Sequence, residues 1–444
     1  MISNSNLENW KIQYNTNKTN KVFENVISNN SLSNLSNVRE QMQKYEPIYN
    51  IKVKPQLKVT NQKSSGRCWL FAALNVLRRD ICTKLNLDNF ELSQSYLFFW
   101  DKLERMNYNL ECIIRSSKEA VDSQLVQHLL NDPTCDGGQW DMVANLINKY
   151  GLVPKSVYQE THHSSSSREL NNILKRKFRE YAFNLRSSKE EVKVLKEKYL
   201  EETYQILCKF LGCPPQSFGW EYVDKNKKYN KVCGLTPKEF FNKYIDTDIN
   251  DYICLINDPR EEHPYNRTYT VKYLGNVVDG KRVLYLNLPI ERIKELTLKS
   301  LKNNKSVWFG CDVGQSLNRD NCAMDLDLTD PLSLFNINFN LNKEQRLKYR
   351  DSLMTHAMVF TGANVTEDAN CLENQPQING WEVENSWSSR GPNDGYYHMT
   401  DNWFNEFVYE VALPKSMLNE NELGILQEGV EKELPPWDPM GALA

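Results

Sequence analysis

The segment that most constrains this chain is QKSSGRCW, residues 62–69. It places Gln62 six positions before Cys68, and the apolar spacing that follows predicts a helix from Trp69 to about Leu85. An intervening glycine permits a tight turn. Unpaired N–H groups at a helix start favour an anion, so we expect a nucleophilic thiolate with a lowered pKa. The Gln62 amide and the Cys68 N–H could together bind an oxyanion.

The composition indicates an ordinary globular protein with more than one core. The chain has 444 residues, of which 40% are hydrophobic and 25% charged. Its net charge of −3 gives no overall attraction to nucleic acid or to an anionic membrane. No run approaches about 18 consecutive apolar residues, so we expect no transmembrane helix. The polar N-terminus lacks the apolar segment of a secretory signal.

Cysteine usage indicates a reducing compartment. Eleven cysteines without a secretory signal predict a cytoplasmic protein with free thiols. Their number is odd, their spacing is irregular, and the doublets of a zinc site are missing. We therefore expect no metal and no organic cofactor, with most of the other ten cysteines serving as packing residues.

Patterning along the chain predicts helices first and strands later. Residues 1–50 form a polar helical arm. Alternation over 51–59 predicts a half-buried strand, which Pro55 places at a sheet edge. Helices follow to about residue 150, with Ser93 as an N-cap, and the polar run at 162–167 predicts a loop and a boundary.

The second part of the chain begins with a charged helical stretch over 168–211, ended by Gly212. A hairpin is predicted over 220–231. Short strands are predicted at 269–273, 282–286, 306–309, 357–363, 381–385 and 395–398. This order indicates an α+β fold with segregated halves.

A nucleophilic cysteine needs a base, and the base needs an orienting group. Of six histidines, His356 stands at the start of an apolar strand, a rigid position from which to direct an imidazole into a cleft. Asn385 follows another predicted strand, and its side-chain oxygen can accept from that ring. Trp387 can shield this hydrogen bond from water. The adjacent Gly137 and Gly138 allow a peptide backbone to approach closely.

Taken together and in chain order, these elements resemble the papain-like cysteine peptidases. Ser65 stands where that family often has a cysteine, which fits a member without its disulfides. The chain length, the segment WFGCDVG at 308–314 and the C-terminal WDPMGALA at 437–444 resemble the bleomycin hydrolase and aminopeptidase C branch.

The resemblance implies a papain-like two-lobed fold, a helical lobe facing a β-barrel lobe across a cleft. It also implies a homohexameric ring. The chain would divide into an N-terminal arm (1–50), the helical lobe (51–165), a mainly helical insertion with a hairpin, used in oligomerisation (166–300), the β-barrel lobe (301–413) and a C-terminal arm (414–444).

The implied activity is that of a cytosolic cysteine aminopeptidase acting on peptides, with bleomycin-like amides as further substrates. Cys68 would attack as a thiolate paired with protonated His356, and Asn385 would orient the ring. Gln62 would help to hold the oxyanion, while Gly137 and Gly138 would hold the substrate. With the C-terminal arm in the cleft, the carboxylate of Ala444 would pair with the substrate amine and limit cleavage to the first residue.

Three alternatives remain open from the sequence. A papain-like endopeptidase would share the catalytic residues but would need the tail outside the cleft. A nucleic-acid-binding role is suggested by the basic run at 225–231 and opposed by the net charge. A transglutaminase-type acyltransferase would ordinarily use an aspartate in place of Asn385.

Overall fold

The computed structural model describes residues 1–44, 47–188, 190–366, 377–389 and 391–444. Within them helices and strands combine, which confirms the predicted mixed α and β content. Helices dominate up to residue 211 and strands are concentrated after it. Among the described helices, none has the length and apolar character needed to cross a membrane.

In chain order, the helices of the described residues are α1 (Asn4–Thr16), α2 (Lys18–Asn29), α3 (Leu32–Leu35), α4 (Arg39–Lys44), α5 (Cys68–Lys84), α6 (Gln94–Arg115), α7 (Gln124–Asn131), α8 (Trp140–Tyr150), α9 (His162–Ser165), α10 (Arg168–Ser187), α11 (Val192–Leu211), α12 (Pro237–Tyr244), α13 (Ile290–Lys302), α14 (Lys343–Tyr349), α15 (Asp401–Phe407) and α16 (Glu420–Gln427).

The strands of the same residues are β1 (Ile51–Lys52), β2 (Phe218–Val223), β3 (Tyr229–Leu235), β4 (Tyr252–Ile256), β5 (Arg267–Val271), β6 (Tyr285–Asn287), β7 (Val307–Cys311), β8 (Leu317–Asn318), β9 (Ala323–Met324), β10 (His356–Thr366), β11 (Gln377–Glu384), β12 (Tyr396–Thr400), β13 (Val408–Pro414) and β14 (Lys432–Leu434).

One large sheet organises the molecule. Its strands run in the order β14-β5-β6-β4-β13-β7-β10-β11-β12-β9-β8, with β1 paired to the side of β10. The β7, β10 and β11 pairings at its centre are antiparallel, and His356 lies opposite Cys311 where β10 begins. Strands β2 and β3 form a separate hairpin, as the sequence predicts.

The central strands are buried on both faces and separate two cores. Along β10, Val359 faces the core of helices α5, α6, α8, α10 and α11, whereas Met358 and Phe360 face a second core beneath α13 and α15. Strands that are buried on both faces carry continuous apolar runs instead of alternating apolar and polar residues. The sequence analysis did not predict β4 and β13, which are buried along nearly their whole length.

The strand predicted over 51–59 is wrong in extent. Only Ile51 and Lys52 pair with β10, followed by a single bond from the Val53 N–H to the Thr361 carbonyl, 2.8 Å. The predicted alternation of burial is nevertheless present, with Val53 and Leu57 inside. Pro55 has no N–H to donate, so the ladder stops there and the chain continues as an extended segment.

Other local predictions have mixed outcomes. Ser93 caps α6 by accepting from the Tyr96 N–H at 3.1 Å, and Gly212 ends α11 with φ 84°, both as predicted. The predicted loop at 162–167 instead contains helix α9, because Thr161 and Ser164 form a reciprocal capping box that satisfies its first turn. Strands β4, β5 and β6 of the large sheet precede residue 300 in the chain.

Burial of His398 on β12 should make stability depend on pH. Desolvation lowers the pKa of its imidazole to about 4, below the 6.5 expected when unfolded. Between pH 4 and pH 6.5, His398 therefore binds a proton more readily in the unfolded chain than in the folded protein. We expect His398 to contribute a fall of up to about 3 kcal/mol in the free energy of unfolding as the pH drops from 6.5 to 4, and His398→Gln to remove that contribution.

The measurement is urea unfolding at several pH values for wild type and His398→Gln. His162→Gln removes an exposed histidine and is the matched control, which should keep the wild-type dependence. Identical slopes for wild type and His398→Gln would contradict the assignment.

Candidate active site

Cys68 is the first residue of α5, within one residue of the predicted start, and it is only 2% exposed. The helix packs against β10, and the Ala357 N–H near the start of that strand acts to lower the pKa of the Cys68 thiol. Before it, the buried Arg67 guanidinium makes two hydrogen bonds to Glu160, of 3.1 and 2.9 Å. These two parallel hydrogen bonds between a guanidinium and a carboxylate hold the turn that precedes the thiol.

His356, the predicted base, lies one residue before Ala357, whose N–H acts on the Cys68 thiol. Its Nε2 hydrogen bonds to Asn385 Oδ1 at 2.9 Å, which leaves Nδ1 for another partner. Trp387 covers this pair, with its ring centroid 4.8 Å from that of His356. All three are brought together by β10 and the segment after β11, although 29 residues separate the histidine from the asparagine.

Gln62 is buried beside the same segment. Its Oε1 accepts from the Ser386 hydroxyl at 2.5 Å, and its Nε2 donates to the Ser65 carbonyl at 2.7 Å. These two bonds determine the orientation of the amide and leave one of its two N–H groups unused by them. Ser386 was not singled out from the sequence, although it stands between Asn385 and Trp387.

A buried ion cluster fixes α5 against the strand that carries Asn385. Arg78 and Arg79 on α5 each donate to one oxygen of Glu384, both at 2.5 Å. Glu384 is the last residue of β11, directly before Asn385. Because two guanidinium groups share one carboxylate in the interior, the helix and the strand cannot shift independently without leaving a buried charge unpaired.

Asp136 is the centre of a second buried cluster and connects the turn before Cys68 to the glycine pair. Its carboxylate accepts from the Gly66 N–H at 3.0 Å and from Lys102 at 2.7 Å. Ser167 and Asn171 complete its shell. Although burial opposes ionisation, Lys102 and these donors hold the pKa of Asp136 well below its usual range. The backbone carbonyl of Asp136 also accepts from the Trp69 indole at 2.5 Å.

Gly138 exchanges two backbone hydrogen bonds with the last residue of the chain. The Gly138 N–H donates to Ala444 O at 3.1 Å, and the Ala444 N–H donates to the Gly138 carbonyl at 3.3 Å. A side chain on Gly137 would come within 2.8 Å of Ala444 O, so the close approach depends on glycine. The tail therefore pairs with this segment as a short antiparallel strand would.

Further contacts hold the tail along the protein. Gln139 Nε2 donates to the Ala442 carbonyl at 2.9 Å, and the Tyr285 hydroxyl donates to the Met440 carbonyl at 3.1 Å. Arg260 forms an ion pair with Asp438 at 2.7 Å. These anchors across 438–444 leave Ala444 itself only 3% exposed.

The predicted lowering of the Cys68 thiol pKa is wrong, because the thiol is buried. The sequence predicted a lowered thiol pKa, but desolvation raises the pKa of Cys68 to about 11, against the opposing effect of the N–H groups of Ala357, Trp69 and Cys68 itself. Desolvation likewise lowers the pKa of His356 to about 4. Considered separately, both groups are neutral at pH 7. A charged pair can form only by proton transfer between them, when each charge stabilises the other.

Gly138→Ala should disturb both the site and the stability of the fold. A β-carbon there would lie 2.5 Å from the Trp69 ring, which the indole bond to Asp136 holds in place. We expect a loss of about 1–3 kcal/mol in unfolding free energy and weakened pairing with Ala444. Thermal or urea unfolding measures the first effect.

Gly424→Ala is the matched control. Gly424 lies in α16 with open space around it, so alanine there should stabilise by about 0.5–1 kcal/mol through helix propensity. A Gly138→Ala protein as stable as wild type would show that Trp69 can move away at little cost.

Comparison with known proteins agrees with this geometry. The model of the Peptidase C1-like family matches residues 1–441. Bleomycin hydrolase from Homo sapiens is 42% identical over 434 residues, which are 95% of this chain and 94% of the human protein. Aminopeptidase C from Lactococcus lactis subsp. cremoris is 42% identical over 427 residues, 96% of this chain and 95% of that protein.

Among solved structures, PepW from Lactobacillus rhamnosis HN001 aligns with a TM-score of 0.94 and 41% identity, covering 100% of this chain and 99% of that one. The family match and the relatives therefore confirm the resemblance inferred from the sequence motifs. This chain belongs to the Peptidase C1-like family and is a cysteine peptidase of that family.

Proposed function

We propose that this protein is a cysteine aminopeptidase that removes N-terminal residues from peptides. The observation that carries the proposal is the paired contact between Ala444 and Gly138, which lies against Trp69, the residue after Cys68. The tail makes the backbone bonds that a substrate residue would otherwise make there. The names of the bleomycin hydrolase and aminopeptidase C relatives support the same activity.

The reaction begins with transfer of the Cys68 proton to His356 Nδ1, since Asn385 occupies Nε2. The thiolate then attacks the scissile carbonyl, forming a C–S bond and moving the carbonyl electrons onto oxygen. The free N–H of Gln62 and the Cys68 N–H stabilise that oxyanion. Asn385 keeps the ring oriented and accepts from the imidazolium.

Collapse of this intermediate breaks the C–N bond, and the leaving amine takes the proton from His356. The product is a thioester on Cys68. His356, now neutral, removes a proton from water, which attacks the thioester carbonyl. Collapse of the second intermediate breaks the C–S bond and releases the N-terminal amino acid, and the Cys68 thiolate takes the proton back from His356. Every step uses groups of this chain and water, so the proposal needs no metal or organic cofactor.

The tail supplies a physical reason for exopeptidase action. In a papain-like two-lobed fold with a C-terminal arm in the cleft, Ala444 occupies the position next to the residue being cleaved. A longer substrate would have to displace its backbone bonds to Gly138. The Ala444 carboxylate is left to pair with the free amine of the substrate, which sets cleavage after one residue.

The wider setting belongs to the same proposal and rests on the resemblance. It comprises the five-part division of the chain, a homohexameric ring, a cytoplasmic location and hydrolysis of bleomycin-like amides. All ten cysteines among the described residues are free thiols, which supports a reducing compartment. DNA binding gains no support from the net charge of −3.

Cys68→Ala should abolish turnover of a fluorogenic aminoacyl amide while the protein remains folded. Loss of the nucleophile should reduce kcat by more than about a thousandfold. Cys82→Ala is the matched control, because it removes another buried thiol from the same helix and should retain turnover. Comparable activity in Cys68→Ala would overturn the mechanism.

Removal of Leu443 and Ala444 should convert the enzyme toward an endopeptidase. Intact protein should cut an aminoacyl amide and leave an N-blocked peptide uncut. The shortened protein should cut the blocked peptide, because Gly138 is then free to bind an internal residue. Both proteins are assayed on both substrates, and mass spectrometry gives the cleavage positions.

A variant that retains the whole tail provides the comparison. Arg260→Gln keeps Ala444 in the chain but removes the Asp438 ion pair, so it should loosen the tail and allow partial cutting of the blocked peptide. If truncation leaves specificity unchanged, the tail does not restrict the cleft. Cleavage of the blocked peptide by intact protein would favour an endopeptidase.

A further inference from the structure

Arg319 extends the active site outward on the side of Trp387. It lies exposed in the turn between β8 and β9, and its guanidinium carbon is 4.8 Å from the Trp387 ring centroid. The His356 ring is another neighbour of that indole, also at 4.8 Å between centroids. An imidazole, an indole and a guanidinium therefore lie in succession from the catalytic base to the surface.

The guanidinium is held in place but is not neutralised. Within the described residues it forms no ion pair, although Asp320 is its neighbour in sequence. Its positive charge acts on His356 and contributes to lowering the pKa of that imidazole. An arginine stacked on tryptophan is pre-oriented, and its N–H donors suit the two oxygens of a carboxylate.

The direction in which a substrate lies in the site determines which of its groups approaches the Arg319 guanidinium. In the proposed function, Ala444 pairs with the backbone of Gly138 on the side where the N-terminal residue of a substrate lies. The leaving portion must then extend past Cys68 and His356 to the other side of the scissile bond. Trp387 packs against the core beneath α13 and α15, whereas Trp69, against which Gly138 lies, belongs to the core of the helices.

We propose that Arg319 binds a carboxylate on the leaving portion of the substrate, above all the terminal carboxylate of a dipeptide. This inference rests on the proposed aminopeptidase activity and adds a preference to it. At one end of the substrate the amine meets the Ala444 carboxylate, and at the other end the carboxylate meets Arg319. Complementary charges at both ends would favour short peptides.

The proposal is tested with Leu-Gly and Leu-Gly amide, which differ only in the terminal charge, and with Leu-Asp amide, which carries an acidic side chain instead. Wild type should show a kcat/KM about threefold to tenfold higher for Leu-Gly than for its amide, a range suited to an exposed but stacked ion pair. This ratio should fall as salt is raised. A preference for Leu-Asp amide over Leu-Gly amide would identify the side chain as a second source of the carboxylate.

Arg319→Gln should bring the ratio of kcat/KM for Leu-Gly to kcat/KM for its amide close to one. Arg319→Lys should retain part of the preference for Leu-Gly, because lysine keeps the positive charge but lacks the planar group that stacks on Trp387. Lys228→Gln removes one positive charge from the distant β2–β3 hairpin and should retain the wild-type ratio. If Arg319→Gln lowers kcat/KM equally for Leu-Gly and for Leu-Gly amide, Arg319 only positions Trp387 and the proposal is wrong. Failure of wild type to cut either peptide would instead refute the proposed function.

Discussion

The Asp136 carboxylate connects the parts on which the site depends. It binds the Gly66 N–H in the turn before Cys68, and the same residue precedes the glycine pair that receives the tail. Lys102 compensates its charge in the interior at 2.7 Å. Because an unpaired carboxylate in the interior is costly, a single group fixes the turn before Cys68 and the Gly137–Gly138 segment relative to one another.

A comparable constraint operates on the sheet side of the nucleophile. Glu384 binds two arginines of α5 and stands directly before Asn385, so the helix that starts with Cys68 and the residue that orients His356 share one buried ion cluster. Both clusters lie outside the reacting groups. Burial would keep Cys68 and His356 neutral if each stood alone, so in the proposed mechanism their relative position is decisive for proton transfer.

The tail gives this site its asymmetry. Backbone pairing of Ala444 with Gly138 resembles the binding of an extended peptide, and the anchors at Asp438, Met440 and Ala442 hold it there. Under the proposed function the tail fills one side of the cleft, so the remaining binding capacity lies on the other side, to which we assign the exposed guanidinium of Arg319 over Trp387.

The sequence by itself determined the residue types and their local settings: a cysteine opening a helix, a histidine opening a strand, and an asparagine after a strand. Those follow from short-range patterning and capping. Tertiary structure decided that Asn385 meets His356, that Asp136 and Glu384 are buried ion centres, and that the thiol pKa rises instead of falling. The reason is physical, since desolvation and charge pairing depend on which distant segments cover a group, and one sequence pattern cannot specify that environment.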